Sequence, residues 1–176
     1  MEREKLSLKN FLINPFDLFE RQWLLLTAGD YSTGKFNAMT IAWGSIGQMW
    51  SKPFVMVVVR PTRYTYQFIN EYATFTLCAF PGKYHKALAY LGSKSGRDGD
   101  KIKASGLTPI PSHTVQAPGF AEANLIIECK KLYWNDLQAE HFLDLDIDGE
   151  YPEKDYHRMY FGEVVDMYAD PAVYTK

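Results

Sequence analysis

At 176 residues, 47% of them apolar and 15% aromatic, the chain is long enough for one domain with a full core, spanning 1–176, and short for two. A net charge of −2, with no block of basic residues, gives no reason to expect a nucleic-acid partner. No apolar run approaches the roughly 20 residues that cross a bilayer, and the first ten residues alternate charges without an apolar signal core. The expectation is therefore a cytoplasmic protein with no membrane partner.

In chain order, Asn14-Pro15 has the form of a helix cap followed by proline at the first helical position, which predicts one or two turns over Pro15–Arg21. Trp23–Ala28 and Phe36–Trp43 read as strands joined into a hairpin by the turn Gly29–Lys35. Gly44–Lys52 is expected to be a loop. Pro53–Val59, an unbroken apolar run, reads as a third strand covered on both faces. A short helix over Tyr66–Tyr72 and a fourth strand over Ala73–Phe80 follow. Tyr84, Ala87, Leu88 and Leu91 recur at helical spacing, and Gly92 is expected to stop that helix. Ser93–Gly99 is a polar loop, Asp100–Ser105 a short helix ended by Gly106, and Pro109 and Pro111 mark an irregular crossing. Ala123–Trp134 and Tyr156–Tyr168 read as long strands joined by the acidic stretch Asn135–Asp155. Six or seven strands with short helices between them predict a mainly β fold with α additions, a closed antiparallel barrel. Cys78 and Cys129, each in its own apolar run, are expected to be free buried thiols.

Three polar clusters stand out against this framework. Arg60-Pro61-Thr62-Arg63-Tyr64-Thr65 leaves the valine strand with two guanidiniums and two hydroxyls and leads into a helix. Arginine forks, hydroxyls and helical N–H groups together suit a phosphate monoester, and the alternative is a strand exit that happens to be basic. Asn37-Ala38-Met39-Thr40 places two polar groups beside a small residue on a strand, which suits the edge of a planar heterocycle or plain amphipathic packing. Alternation puts Asn37, Met39, Ile41 and Trp43 on one face and Ala38, Thr40 and Ala42 on the other. Ser93 to Lys101 carries serines, lysines and Arg97 around two glycines without the spacing of a P-loop.

The remaining candidates are thinner. Asp144, Asp146 and Asp148 imitate the opening of a calcium loop, but Pro152 and a closing Asp155 in place of glutamate favour a surface acidic turn. The four histidines show no paired metal spacing, so no metal site is expected. Of these, His157 stands at the start of the last strand, where a barrel rim would hold it over a ligand mouth.

Taken in register, these segments resemble the flavin reductase-like family, the FMN-binding split barrels that include flavoredoxins. The resemblance rests on Asn37–Thr40 with Trp43-Gly44, Lys52-Pro53, Arg60–Thr65, Ser95–Lys101, Glu128-Cys129, and His157 through Val165. It implies an antiparallel split β-barrel and a homodimer with one FMN per subunit. Arg60, Arg63, Thr65, Ser95 and Lys101 would meet the phosphate, with Tyr64 beside them. Asn37, Ala38, Met39, Thr40 and Trp43 would line the ribityl chain and ring. His157 would stand over the ring as the catalytic candidate. The implied activity is an NAD(P)H-dependent flavin reductase, with NADH or NADPH passing hydride to FMN N5 and a small-molecule or protein acceptor beyond. The alternative is an FMN electron carrier without enzymatic activity. Two positions depart from the family pattern: Phe54 stands where many members have a second proline, and Asp155-Tyr156 stands where nicotinamide-using members commonly have Gly-Asp before the histidine.

Overall fold

The computed structural model describes residues 2–175. After a two-residue strand β1 (Glu4–Lys5), Asn14 caps helix α1 (Pro15–Asp17), its side chain accepting from the N–H groups of Phe16 and Asp17. The helix expected over Pro15–Arg21 is only one turn of α-helix. It widens into a π turn over Leu18–Gln22 and stops at Trp23, whose φ is 61°.

Strands β2 (Leu24–Asp30) and β3 (Lys35–Ile41) form the expected hairpin. Gly44–Lys52 is not a loop. Strand β4 (Gly44–Met49) pairs with β5 (Lys52–Val59) across a two-residue turn, Met49 opposite Lys52. Such a turn demands positive φ at both central residues and is ordinarily marked by Asn-Gly. Here Trp50 and Ser51 take φ of 53° and 57°. The Trp50 ring packs edge-on against Tyr133 and Phe161, with centroids 6.1 and 5.9 Å away, and that packing holds the turn that local propensity hides.

Helix α2 (Thr65–Glu71), β6 (Thr74–Ala79), a 3₁₀ turn (Gly82–Tyr84), α3 (His85–Ser93) and α4 (Lys101–Ser105) follow. Gly92 does not terminate α3 but lies inside it. A Cβ at this position would stand 3.2 Å from Thr40 Cβ, so the missing side chain lets the helix settle onto β3. Asp100 caps α4, and Gly106 ends it in the left-handed conformation at φ 76°. The short pair β7 (Pro109–Ile110) and β8 (Gly119–Phe120) precedes the long strands β9 (Leu125–Asp136) and β10 (Arg158–Ala169), and α5 (Pro171–Tyr174) closes the described chain.

The large sheet is antiparallel throughout, in the order β3-β2-β6-β9-β10-β5-β4, with β1 on β10. Alternate residues of β2, β5, β6, β9 and β10 enter one shared core that includes Leu26, Val57, Leu77, Ile127 and Tyr160. A sheet whose inner faces meet in this way is curled, yet its end strands β3 and β4 do not pair with each other. The result is a split barrel. A second apolar cluster joins Leu25, Ala38 and Cys78 to Leu88 and Leu91 of α3, so β2 is covered on both faces. Cys78 and Cys129 are free and buried. Among the described residues, no helix is long and apolar enough to cross a membrane.

Candidate functional site

The turn after β5 and the connection between α3 and α4 face each other. Arg63 N–H donates to the Arg60 carbonyl, closing the turn that leads into α2. From the opposite side, Arg97 donates to the Thr62 carbonyl at 3.2 Å and lays its guanidinium over the Tyr64 ring, 5.0 Å from the centroid. Between the two loops lies a pocket of about 150 Å³ lined by Met39, Arg63, Tyr64, Thr65, Ser95 and Lys101, among others.

Lys101 is the electrostatic centre of this pocket. It is buried, and its Nζ donates to the carbonyls of Leu91 and Lys94 at 2.8 and 2.9 Å. Burial first, and then the positive charge of Arg63, push its amine down to about 8. The surrounding groups thus hold two cations close together with carbonyls, rather than a carboxylate, around the amine. An anion entering here would relieve the repulsion, so the residues present fit a phosphate group.

The far wall is a buried hydrogen bond. Asn37 Nδ2 donates to Thr65 Oγ1 at 2.7 Å. Gly96 is pressed against that wall, because a Cβ there would stand 2.5 Å from Asn37 Oδ1. A larger cavity of about 920 Å³ lies on the other side of this wall, lined by Asn37 and Gly96 among others, and shares Tyr64 and Lys101 with the smaller pocket. Arg63 and His157 do not line that larger space, so it is not where the candidate groups converge.

Met39 and Arg63 also line a second cavity of about 210 Å³, together with Thr40, Trp43, Arg60 and His157. Trp43 is exposed, with its ring centroid 5.2 Å from that of His157. The Tyr151 hydroxyl lies 2.8 Å from His157 Nδ1. Burial, and after it the charge of Arg60, lower the imidazole to about 4, so the ring is uncharged at neutral pH.

Arg60 does not line the same pocket as Arg63, Thr65, Ser95 and Lys101, the rest of the phosphate set expected from the sequence. Its guanidinium is paired with Asp155 at 3.0 Å, donates to the Glu150 carbonyl at 2.8 Å, and covers the Tyr151 ring at 4.9 Å. The second Asp155 oxygen accepts from the Thr62 hydroxyl at 3.0 Å. Burial opposes the charge on Asp155, but the Thr62 hydroxyl and Arg60 outweigh it and hold the carboxyl below its ordinary range. A guanidinium so engaged lines the cavity beside Trp43 and His157 and not the pocket around Lys101.

Two more expected residues lie off both of these cavities. Ala38 packs in the cluster beneath α3, as strand alternation dictates. Asn37 forms the wall and lines the larger cavity. Thr40 lines the cavity beside Trp43, but its hydroxyl donates to the Leu88 carbonyl at 2.6 Å and so ties β3 to α3. His157 stands one residue before β10 rather than within it. Arg97, Tyr151 and Asp155 join the expected residues at this site. Arg97 belongs to the polar cluster Ser93–Lys101, whereas Tyr151 lies in an acidic stretch with no pattern to mark it. In that stretch Asp148 is engaged by Lys154 and by the Tyr156 hydroxyl, and among the described residues no three His, Cys, Asp or Glu side chains are grouped to hold a metal ion.

An open antiparallel barrel with a cationic pocket next to an aromatic-lined cavity defines a class: an antiparallel split barrel. The chain belongs to the flavin reductase like domain family, whose model matches residues 16–176. Among solved structures, it is similar to an FMN-binding domain of a flavin reductases-like enzyme from Shewanella baltica, with 19% identity, a TM-score of 0.71, and coverage of 98% of this chain and 79% of the other. Flavoredoxin of Desulfovibrio vulgaris is 26% identical with a TM-score of 0.67, over 88% and 73% of the two chains. An NADH:FAD oxidoreductase of Streptomyces globisporus is 16% identical with a TM-score of 0.65, over 86% and 77%. No match was found among curated protein sequences.

Proposed function

We propose that this chain binds FMN along a groove formed by the pocket around Lys101 and the cavity beside Trp43, and acts as a flavin-dependent oxidoreductase, reduced by NADH or NADPH and serving a small-molecule or protein acceptor. The observation that carries the reading is the convergence of Lys101 and Arg63 on a pocket that shares Met39 and Arg63 with the cavity lined by Trp43 and His157. A phosphate monoester brings about −1.5 to −2 charges, which the two cations offset. Ser95 and Thr65 add hydroxyl oxygens at the same end. The exposed Trp43 ring offers an apolar face against which a planar group excludes water. When bound, FMN supplies the hydride and single-electron chemistry that no side chain here can perform. Relatives described as FMN-binding and as an NADH:FAD oxidoreductase support the cofactor and the reductant respectively.

The deciding experiment is a visible spectrum of the purified protein loaded with FMN, followed by anaerobic addition of NADH or NADPH. Bleaching of the flavin is the expected result. A flavin-loaded protein that oxidises neither nicotinamide would end the reductase reading.

One observation favours an FMN electron carrier instead. Asp155 is engaged by Arg60 and Thr62, and the Tyr156 hydroxyl donates to Asp148 at 2.7 Å, so the two positions before His157 are committed to internal contacts. Reduction by a ferredoxin-type partner but not by nicotinamides would select the carrier. We also propose a homodimer, supported by the aromatic surface of Trp50, Phe54, Tyr133 and Phe161, whose rings contact one another while Trp50 and Tyr133 remain exposed. Sedimentation of a monomeric species at micromolar concentration would refute it.

A further inference from the structure

His157 has two ring nitrogens, and the surroundings of one fix the use of the other. Nδ1 lies 2.8 Å from the Tyr151 hydroxyl. The contact can run either way, but a phenol is a stronger donor than an imidazole N–H and an unprotonated imidazole nitrogen a stronger acceptor than a phenol oxygen, which favours Tyr151 as donor and Nδ1 as acceptor. A neutral imidazole that accepts at Nδ1 must carry its own proton on Nε2.

Tyr151 is not free to turn away from this bond. It is 2% exposed, and its ring is flanked by Tyr156 at 5.0 Å and Phe142 at 6.1 Å. The Arg60 guanidinium covers it at 4.9 Å and is itself pinned by Asp155 and the Glu150 carbonyl. The chain of contacts therefore runs Asp155–Arg60–Tyr151–His157, from an ion pair to the rim of the groove. The charged and titratable groups facing the imidazole are Tyr151 and Asp155 from the loop before β10, and Arg60 and Arg63 from the turn after β5. Both arginines oppose a positive charge on the ring. Asp155 favours one, but it is already paired with Arg60.

We propose that Tyr151 is a positioning residue that holds His157 in a single neutral form, protonated at Nε2, so that this end of the groove meets its ligand with a hydrogen-bond donor and not with a base. The class of ligand atom recognised here is then an acceptor: a carbonyl oxygen or an unprotonated ring nitrogen. A ligand presenting an amine or a protonated ring nitrogen at this point finds no acceptor on His157. Applied to FMN or a nicotinamide carboxamide, this rests on the function proposed above; the state of the ring itself does not.

The test is nitrogen-15 NMR of the histidine-labelled full chain at pH 7. His157→Gln assigns the ring among the four histidines of the sequence. The expected wild-type spectrum shows one tautomer, Nε2 protonated and Nδ1 unprotonated with the shift of a hydrogen-bonded acceptor. Tyr151→Phe keeps the ring that Arg60 covers and removes only the hydroxyl. Both tautomers are then expected, with loss of the hydrogen-bond shift at Nδ1. A wild-type ring protonated at Nδ1, or a mixture of forms, overturns the assignment without need of a variant. A Tyr151→Phe ring in the same single form as wild type overturns it too. FMN titration of the same samples separates the two ideas: an Nε2-protonated ring in a protein that binds no FMN sinks the flavin reading and leaves Tyr151 its task, and an Nδ1-protonated ring in a protein that binds FMN does the reverse.

Discussion

Gly96→Ala tests the Asn37–Thr65 wall directly. Gly96 has no positive φ, so backbone strain does not enter, and the cost is steric. The added methyl would lie 2.5 Å from Asn37 Oδ1 and 2.7 Å from Tyr64 Cδ1. Overpacking of this kind costs about 1–3 kcal/mol. If Asn37 yields, its amide leaves Thr65 Oγ1, and both groups are almost wholly buried, at 4% and 1% exposure. An unpaired buried polar group costs about 1–3 kcal/mol. Against this stands a gain of about 0.4–1 kcal/mol from a stiffer unfolded chain. The net expectation is a loss of about 2–4 kcal/mol, read as a lowered midpoint in urea unfolding at unchanged slope. Gly82→Ala is the matched control: nothing lies within 4 Å of its Cβ, its φ is not positive either, and the substitution should be neutral or slightly stabilising. A Gly96→Ala protein within about 0.5 kcal/mol of wild type would refute the account of the wall.

Stability should fall as pH drops from about 6.5 towards 4, because the unfolded state protonates His157 through that window while the folded state, held at about 4, does not. Discounted for the half-exposed ring, the effect is on the order of 1–2 kcal/mol, and His157→Gln should flatten the difference curve over that interval. Lys101→Met should weaken FMN binding about ten-fold or more at pH 7, in a titration of flavin absorbance. In the wild type, FMN affinity should decline as pH rises beyond about 8, where the free protein's Lys101 loses its proton. The substituted protein should lack that decline. Thr40→Val removes the donor to the Leu88 carbonyl and should cost about 1 kcal/mol in thermal or urea unfolding, without altering the pH dependence.

Much of the barrel was legible as apolar runs bounded by turn residues. Pro53–Val59, Thr74–Ala79 and the first half of β9 are such runs, although β5 buries Val55, Val57 and Val59 more deeply than Met56 and Val58 instead of being covered evenly on both faces. The β4–β5 hairpin escaped because its turn is made by Trp50 and Ser51, which take positive φ under aromatic packing from Tyr133 and Phe161, residues more than eighty positions away. Gly92 misled for a related reason. A glycine near a helix end reads as a stop, and only the neighbouring strand reveals that its missing Cβ makes room for Thr40. In the site, Arg63, Thr65, Ser95 and Lys101 were visible as residue types in register. The diversion of Arg60 to Asp155, 95 residues on, and the Tyr151 contact to His157 depend on how the acidic loop folds back, which no local pattern encodes.

That diversion gives the groove its electrical shape. With Arg60 compensated by Asp155 and His157 uncharged, Arg63 is the uncompensated charge at the cavity beside Trp43, where it stands on the border with the other cavity. The other end adds a buried Lys101, with Arg97 stacked alongside. Positive charge therefore rises from the cavity beside Trp43 to the pocket around Lys101. A ligand with a neutral ring system and a doubly charged phosphate is oriented by such a gradient before any hydrogen bond forms, since reversing it would place the phosphate against Asp155 and strand the ring between two unpaired cations. On the proposed FMN reading, the Arg60–Asp155 ion pair would shape binding without touching the phosphate: by neutralising one arginine, it leaves Lys101, with Arg63 on the border between the cavities, as the cationic end.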